Sequence, residues 1–433
     1  MKQLFLIEDS VANKVSYYHL AFFLLALPFD FFYSELILIS FGIHTLIHLK
    51  KASLGKILQK PVLILCSLFL LTVLGILYSP DKQEALNIST RQLAILLFPM
   101  LLSISNLDME KYRTNLFCIF GFTCVITIVY LYADAVRTLD YFQLPLSGLF
   151  TTMFMNHNFS LPIGIHATYL SVYVAFSLIL FLYLLIKKEQ PGNKWIYIIS
   201  CFILFAGLVQ LSSRAAFIAF LLVVNGAFPF LLFKGKRRKA FFVAATFFSV
   251  STLLIIVNVD SFKTRYISEL KTDLTNKVKI IENTEPRLAR WNVIGELIKK
   301  SPVIGYGTGS EKQLLKEKYF EKGLYISYLN EFNTHSEYLG ILLKTGLVGL
   351  ALFLYILYFG FVSAIRKQDL PFLGFMIIIA VVSVSENILE LNKGIFFYSF
   401  FFSLFLWKTK PVTAGERNET IAKTGNRVVL NTV

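Results

Sequence analysis

The chain has 433 residues, 56% of them apolar and only 16% charged, with a mean hydropathy of +0.64. These values exclude a soluble globular protein of that length, which would divide into domains and carry far more charge. The formal net charge of +15 invites a nucleic-acid reading, but the placement of the basic residues along the chain removes it.

Apolar windows longer than the roughly 18 residues of a spanning helix recur, which predicts an all-α, polytopic integral membrane protein. Apolar character runs from Val15 through Phe32 without a small-residue cleavage site, so the first segment is expected to be retained. Twelve apolar segments follow in order, near 16–33, 35–49, 61–78, 92–105, 115–133, 163–186, 195–211, 214–233, 240–258, 336–363, 370–387 and 393–407. The second, fourth and twelfth are short. About twelve transmembrane helices are expected, with one large outside loop between the ninth and tenth. The regions are helices one to nine over 1–258, an insert with an amphipathic helix over 259–334, helices ten to twelve over 335–407, and a polar tail over 408–433. The tail is expected to be disordered.

With the N-terminus placed inside, the inside loops and both termini hold 23 basic residues, including the run Lys234, Lys236, Arg237, Arg238 and Lys239. The short outside loops hold five: Lys82, Arg91, Arg137, Arg214 and Lys393. Loops rich in Lys and Arg stay in the cytoplasm, so both termini are expected there. The basic loops then face anionic lipid headgroups, with membrane lipids as the partner and no nucleic acid. Two outside segments are long, an aromatic-rich one from Asp134 to Pro162 and the insert from Val259 to Thr334.

Cys66, Cys118, Cys124 and Cys201 all fall in apolar stretches and read as packing residues. No Cys/His cluster has zinc spacing and no Walker-type loop occurs, so neither metal nor cofactor is expected. Asp108-Met109-Glu110 looks superficially like an acidic metal motif, but in a short inside loop it reads as solvated charge.

Arg214 follows Gln210-Leu211-Ser212-Ser213 in a tight outside turn and opens an apolar helix. A cation has the wrong sign for a helix N-terminus, and close to hydrocarbon it is costly unless neutralised. No acidic residue lies nearby in sequence. Two accounts stand: a side chain snorkelling to headgroups, or a ligand for a substrate phosphate, which the missing acid favours. In the insert, Pro286 suits a helix start. At helical spacing Leu288, Trp291, Ile294, Leu297 and Ile298 share one face, with Arg287 in the middle of the apolar arc and Arg290 at its edge. Lys299 and Lys300 suit lipid contact, whereas Arg287 beneath the helix calls for another partner. The run Gly305-Tyr306-Gly307-Thr308-Gly309 reads as a glycine-rich turn, since no strand precedes it.

Asn333-Thr334-His335-Ser336-Glu337-Tyr338-Leu339 carries the polar insert into an apolar helix. Thr334 and Glu337 have the spacing of a capping box, which predicts a helix starting there with His335 in its first turn. Free N–H groups at such a terminus suit a phosphate, and an imidazole beside it suits proton transfer. A cationic neighbourhood would keep that imidazole neutral and able to act as a base. His157 and His166, near the other outside loop, read as structural. Lys344 lies in line with Glu337 and reads as an internal polar contact.

Together these residues resemble the O-antigen ligase and polymerase superfamily over about 200–355. The resemblance rests on Arg214 in a short periplasmic turn, the large loop between helices nine and ten, and Arg287 before Trp291. It also rests on Pro302 with Gly305-Tyr306-Gly307, and on His335 opening the next helix ahead of Gly346-Leu347-Val348-Gly349. Ser336 stands where an asparagine commonly follows the histidine, and Lys344 where an acidic or polar residue is common. The resemblance implies a glycosyltransferase of the bacterial inner membrane, multi-pass, with its active site facing the periplasm. It implies metal-independent, inverting transfer from an undecaprenyl-diphosphate-linked glycan to a hydroxyl on lipid A–core. His335 is then the catalytic base, with Arg214 and Arg287 on the diphosphate. Arg290, Thr334, Tyr338, Gly305 and Gly307 are further substrate-binding candidates. A polymerase of lipid-linked repeat units, a protein O-oligosaccharyltransferase and a lipid-linked oligosaccharide flippase remain as alternatives. A flippase calls for charges along several helices around a central cavity, whereas these cations gather on one side.

Overall fold

The computed structural model describes residues 2–29, 31–275 and 285–407. The expected tail over 408–433 lies outside the described residues, which contain helices and turns and no strand.

Each of the twelve apolar segments falls on a helix. The first five are α1 Val11–Ala26, α2 Phe31–Ile47, α3 Lys60–Ile76, α4 Lys82–Ile104 and α5 Met109–Tyr141. Then come α6 Ala167–Lys187, α7 Lys194–Leu211, α8 Arg214–Leu232 and α9 Gly235–Asn258. The insert supplies α10 Arg287–Lys300 and α11 Glu311–Glu321, followed by α12 Glu337–Arg366, α13 Leu370–Val382 and α14 Asn392–Leu406. Among the described residues, seven helices (α4 to α9 and α12) are long and apolar enough to cross a membrane. The number rises to eight if α3 is joined to the 3₁₀ helix Lys51–Leu58, which meets it at 64°. Length and composition therefore support fewer spans than the twelve expected, because α1, α2, α13 and α14 are shorter.

Local chemistry sets the ends that hydropathy misplaced. The α4 helix begins at Lys82 rather than near 92, because Asp81 accepts from Glu84 N at 2.9 Å and caps it. Asp108 does the same for α5, accepting from the N–H groups of Glu110 and Lys111. That is the task of the Asp108-Met109-Glu110 motif. At 33 residues α5 is about 50 Å long, so it runs past its predicted end into the Asp134–Pro162 segment. By contrast, α13 stops at Val382, and residues 383–391 form a non-helical turn before α14.

Phenylalanine fills the centre of the bundle. The Phe176 ring lies 4.9 Å from Phe401 and 5.5 Å from Phe397, edge-on in both cases, and Phe120 lies 4.9 Å from Phe401. Such pairs add roughly 0.5–1.5 kcal/mol each beyond area burial. The three buried cysteines, Cys66, Cys118 and Cys124, are free thiols within this core.

The α12 helix is broken at Gly346, whose φ is +62°. The turn after α10 fills the break. Tyr306 N donates to Leu343 O and Gly307 N to Lys344 O, while Leu347 N donates to Pro302 O and Val348 N to Val303 O. A broken helix must have its freed backbone groups satisfied, and this turn satisfies them from both sides. A Cβ at Gly305 would stand 2.6 Å from Leu343 O, so the close approach requires glycine.

Candidate functional site

Ser212, at φ +51°, turns the chain sharply between α7 and α8 and puts Arg214 at the head of α8. Arg287 opens α10 directly after Pro286. Both arginines line one cavity of about 480 Å³, with Arg265, Asp273, Trp291 and Glu386. One wall of the cavity is apolar. Its Ile218, Leu274 and Val384 are 49%, 59% and 51% exposed, so the cavity opens along a greasy edge.

The acid that Arg214 lacks in sequence is supplied by the fold. Arg214 Nη2 lies 2.5 Å from Asp273 Oδ2. Arg287 Nε lies 3.8 Å from the same oxygen, and its Nη2 lies 3.7 Å from Glu386 Oε1. Arg287 Nη1 donates to Ser385 O at 2.8 Å. Sequence-local reasoning fails here because Asp273 is 59 residues from Arg214. The pairing does not exhaust the site. Arg214 Nη1 is buried and has no hydrogen-bond partner among the described residues. Arg265, paired with Glu269, adds a third guanidinium against the carboxylates of Asp273 and Glu386.

The buried face of α10 is turned from the predicted one. Arg290, Val293, Ile294 and Leu297 are buried, and Arg287 is half-buried at the cavity. Arg290, expected at the edge, is thus the arginine beneath the helix. Its guanidinium stacks 4.9 Å over Phe332, whose ring meets that of His335 edge-on at 5.6 Å.

The predicted capping box does not form. Ser336 is the N-cap of α12, its Oγ accepting from Leu339 N at 3.5 Å, and the helix starts at Glu337. Thr334 Oγ1 instead accepts from Asn387 Nδ2 at 2.9 Å. The helix mouth is filled by chain: Glu337 N donates to Ser383 O and Glu386 O at 2.9 and 3.2 Å. His335 precedes the helix in a left-handed conformation, φ +44°, with its N–H donated to Asn333 Oδ1 at 3.0 Å.

The His335 neighbourhood is not purely cationic. Its Nδ1 lies 3.8 Å from Glu386 Oε2. Burial alone would raise the Glu386 carboxyl, but the His335 ring and the Arg287 guanidinium outweigh it and hold it below the usual carboxylate range. His335, Glu386, Arg287, Asp273 and Arg214 thus form a line of neighbouring charged and titratable groups. His157 and His166 stand behind it, their rings 4.1 Å apart. His166 Nδ1 accepts from Thr168 N at the head of α6, and burial pushes its imidazole down to about 4.

His335 and Arg290 lie outside the cavity lining, His335 reaching it through Glu386, and so do the remaining candidates. Tyr338 donates its hydroxyl to Ala380 O at 2.9 Å. Thr334 is 1% exposed and fully engaged with Asn387, Ser336 and Glu311. Gly305 and Gly307 serve the break in α12, and the Gly307 N–H is spent on Lys344 O rather than left for an anion. Lys344 pairs with Glu390 and Glu311, not with Glu337.

Three residues of the site escaped sequence reasoning: Asp273, Arg265 and Glu386. Glu386 carried a readable signal, since an acid within an apolar run marks function by default. Assigning 370–387 to one continuous helix hid it. Asp273 and Arg265 sit among other charges of the insert and carry no comparable signal.

Residues 199–354 match the family model described as O-antigen ligase. The matched span holds Arg214, Arg265, Asp273, Arg287 and His335 and ends before Glu386. No curated protein matches the chain.

Proposed function

From a membrane chain whose residues 199–354 belong to the O-antigen ligase family, we propose a transferase that moves a glycan from a polyprenyl-diphosphate carrier, undecaprenyl diphosphate, to a hydroxyl on lipid A–core. The observation that carries this reading is the meeting of Arg214, Arg265 and Arg287 in a cavity with an exposed apolar edge, Arg214 Nη1 being buried and, among the described residues, without a hydrogen-bond partner. Guanidinium forks match phosphate oxygens, and an apolar edge matches the lipid that carries them.

In the proposed reaction, the acceptor oxygen attacks the anomeric carbon as the carbon–oxygen bond to the diphosphate breaks. The bonding pair leaves with the polyprenyl diphosphate, whose developing charge the arginines stabilise. Attack opposite the leaving group inverts the anomeric configuration. The acceptor proton passes to His335. Glu386 beside Nδ1 favours the tautomer that keeps a proton there, which leaves Nε2 to accept. A mean of about 10²–10⁴-fold in rate is typical of such base help. Five basic residues in the short outside loops against 23 inside support a periplasmic site with cytoplasmic termini.

Gel analysis of lipopolysaccharide from a deletion strain tests the reading. Loss of all surface glycan, with lipid-linked polymer accumulating, is the expected result. Capping by a single repeat would assign the chain to repeat-unit polymerisation, and an unchanged ladder would remove the proposal.

A further inference from the structure

Behind His335 lies a cluster of charges with no part in the steps above. Lys344, on α12, is buried with a side chain 8% exposed. Its Nζ lies 2.6 Å from Glu390 Oε1 and 3.2 Å from Glu311 Oε2. Glu337, buried on the same helix, accepts from Leu389 N at 2.8 Å. Two carboxyl groups thus share one ammonium away from water, with the buried Glu337 carboxyl on the same helix. Isolated buried charge is expensive, so such a set holds a proton among its carboxyls. Burial and the neighbouring Glu390 carboxylate push Glu311 upward.

What this cluster touches gives it meaning. Asn333 Nδ2 donates to Glu390 Oε2 at 3.1 Å, while Asn333 Oδ1 accepts the His335 N–H. Thr334 N donates to Glu311 Oε1 at 2.9 Å. On the other side of the histidine, Glu337 is tied to the 383–391 turn through Ser383 O and Leu389 N. His335 is therefore pinned before and after, and it needs to be. A non-glycine residue at φ +44° is held in a sparsely populated region, which persists only where its surroundings dictate it.

We infer that Lys344, Glu390 and Glu311 are positioning residues: the buried cluster fixes Asn333 and Thr334, and through them the left-handed backbone that aims His335 along Glu386. The inference rests on the reading of His335 as the base. The cluster also explains why a lysine sits inside α12, two residues before the break. Its ammonium draws Glu311 of α11 and Glu390 of the turn before α14 onto the same point, joining the insert to the 383–391 turn that bears Glu386.

The test replaces Lys344 and its nearer partner with apolar groups of similar size, Lys344→Met with Glu390→Leu, which removes the ammonium together with one carboxylate and leaves Glu311 a carboxyl that burial favours as neutral. Asn333→Asp is the second variant. It keeps the acceptor for His335 N but cannot donate to Glu390. Purified full-length protein is assayed with lipid-linked glycan extracted from cells lacking the chain, alongside thermal midpoints and His335→Gln. A displacement of a catalytic group by an ångström costs on the order of 10²-fold. Both variants should therefore keep their midpoint within a few degrees and their donor KM within about twofold, and lose at least about tenfold in kcat. A merely structural role would move the midpoint and spare kcat in the folded fraction. Full kcat in Asn333→Asp, or in a folded double variant, overturns the clamp while an inactive His335→Gln leaves the base in place. Full activity in His335→Gln overturns the base, and the clamp with it.

Discussion

Arg287→Lys separates a phosphate fork from a simple positive charge. In the structure the guanidinium reaches three ways at once: Nη1 to Ser385 O at 2.8 Å, Nη2 to Glu386 at 3.7 Å and Nε to Asp273 at 3.8 Å. A lysine has one nitrogen on a flexible stem and can satisfy one of these directions. Loss of the charged hydrogen bond to Ser385 O costs about 1.5–3 kcal/mol. A missing donor to charge that develops in the transition state costs about 10²–10³-fold in rate. Arg287→Lys should therefore lower kcat/KM on the order of 10²-fold and approach the loss in Arg287→Ala. The assay is transfer from extracted lipid-linked glycan by purified protein, with amounts matched by immunoblot and folding checked by thermal midpoint. If the lysine variant works within about threefold of wild type, the fork has no role at this residue.

Asp273 occupies the space between Arg214 and Arg287 that a substrate phosphate would need. Asp273→Asn should tighten pyrophosphate binding by about tenfold in calorimetry, since a competing charge is removed; weaker binding would show that the carboxylate organises the arginines instead. Burial holds the His166 imidazole down to about 4, below its unfolded value of 6.5. The unfolded chain then binds the extra proton first, so this contribution to stability is full above 6.5 and is lost as pH falls towards 4. The thermal midpoint should drop across that window, and His166→Asn, which keeps an acceptor for Thr168 N, should flatten the drop; an unchanged slope would count against it. In a chain lacking its own cysteines, a cysteine in the Lys234–Lys239 loop should resist an impermeant thiol reagent in intact cells, and one at Lys312 should react. The reverse pattern would invert the orientation.

The helices were legible in the sequence because long apolar runs have few other outcomes. Their ends were not legible where charge enters a helix. In α4, Arg91 pairs with Glu84 at 3.1 Å and Asp81 caps the start, so the helix extends through residues that hydropathy rejects. Arg214, Arg287 and His335 stood out because ionisable groups beside apolar runs are costly. Their acidic partners did not, since Asp273 and Glu386 arrive through tertiary contact. The capping box failed for the same reason: Thr334 found Asn387 across the fold, and Ser336 took over the cap. The glycines of the 302–307 turn were readable as a turn, but their task depends on a helix break at Gly346 that spacing does not reveal.

Reconstitution of the purified chain with extracted lipid-linked glycan and lipid A–core tests the central claim most directly. Glycan should move to the acceptor with inverted anomeric configuration, one polyprenyl diphosphate being released per transfer, and both His335→Gln and Arg287→Lys should stop it. Donor that stays intact while changing leaflet, or transfer that proceeds undiminished in both variants, would contradict the account.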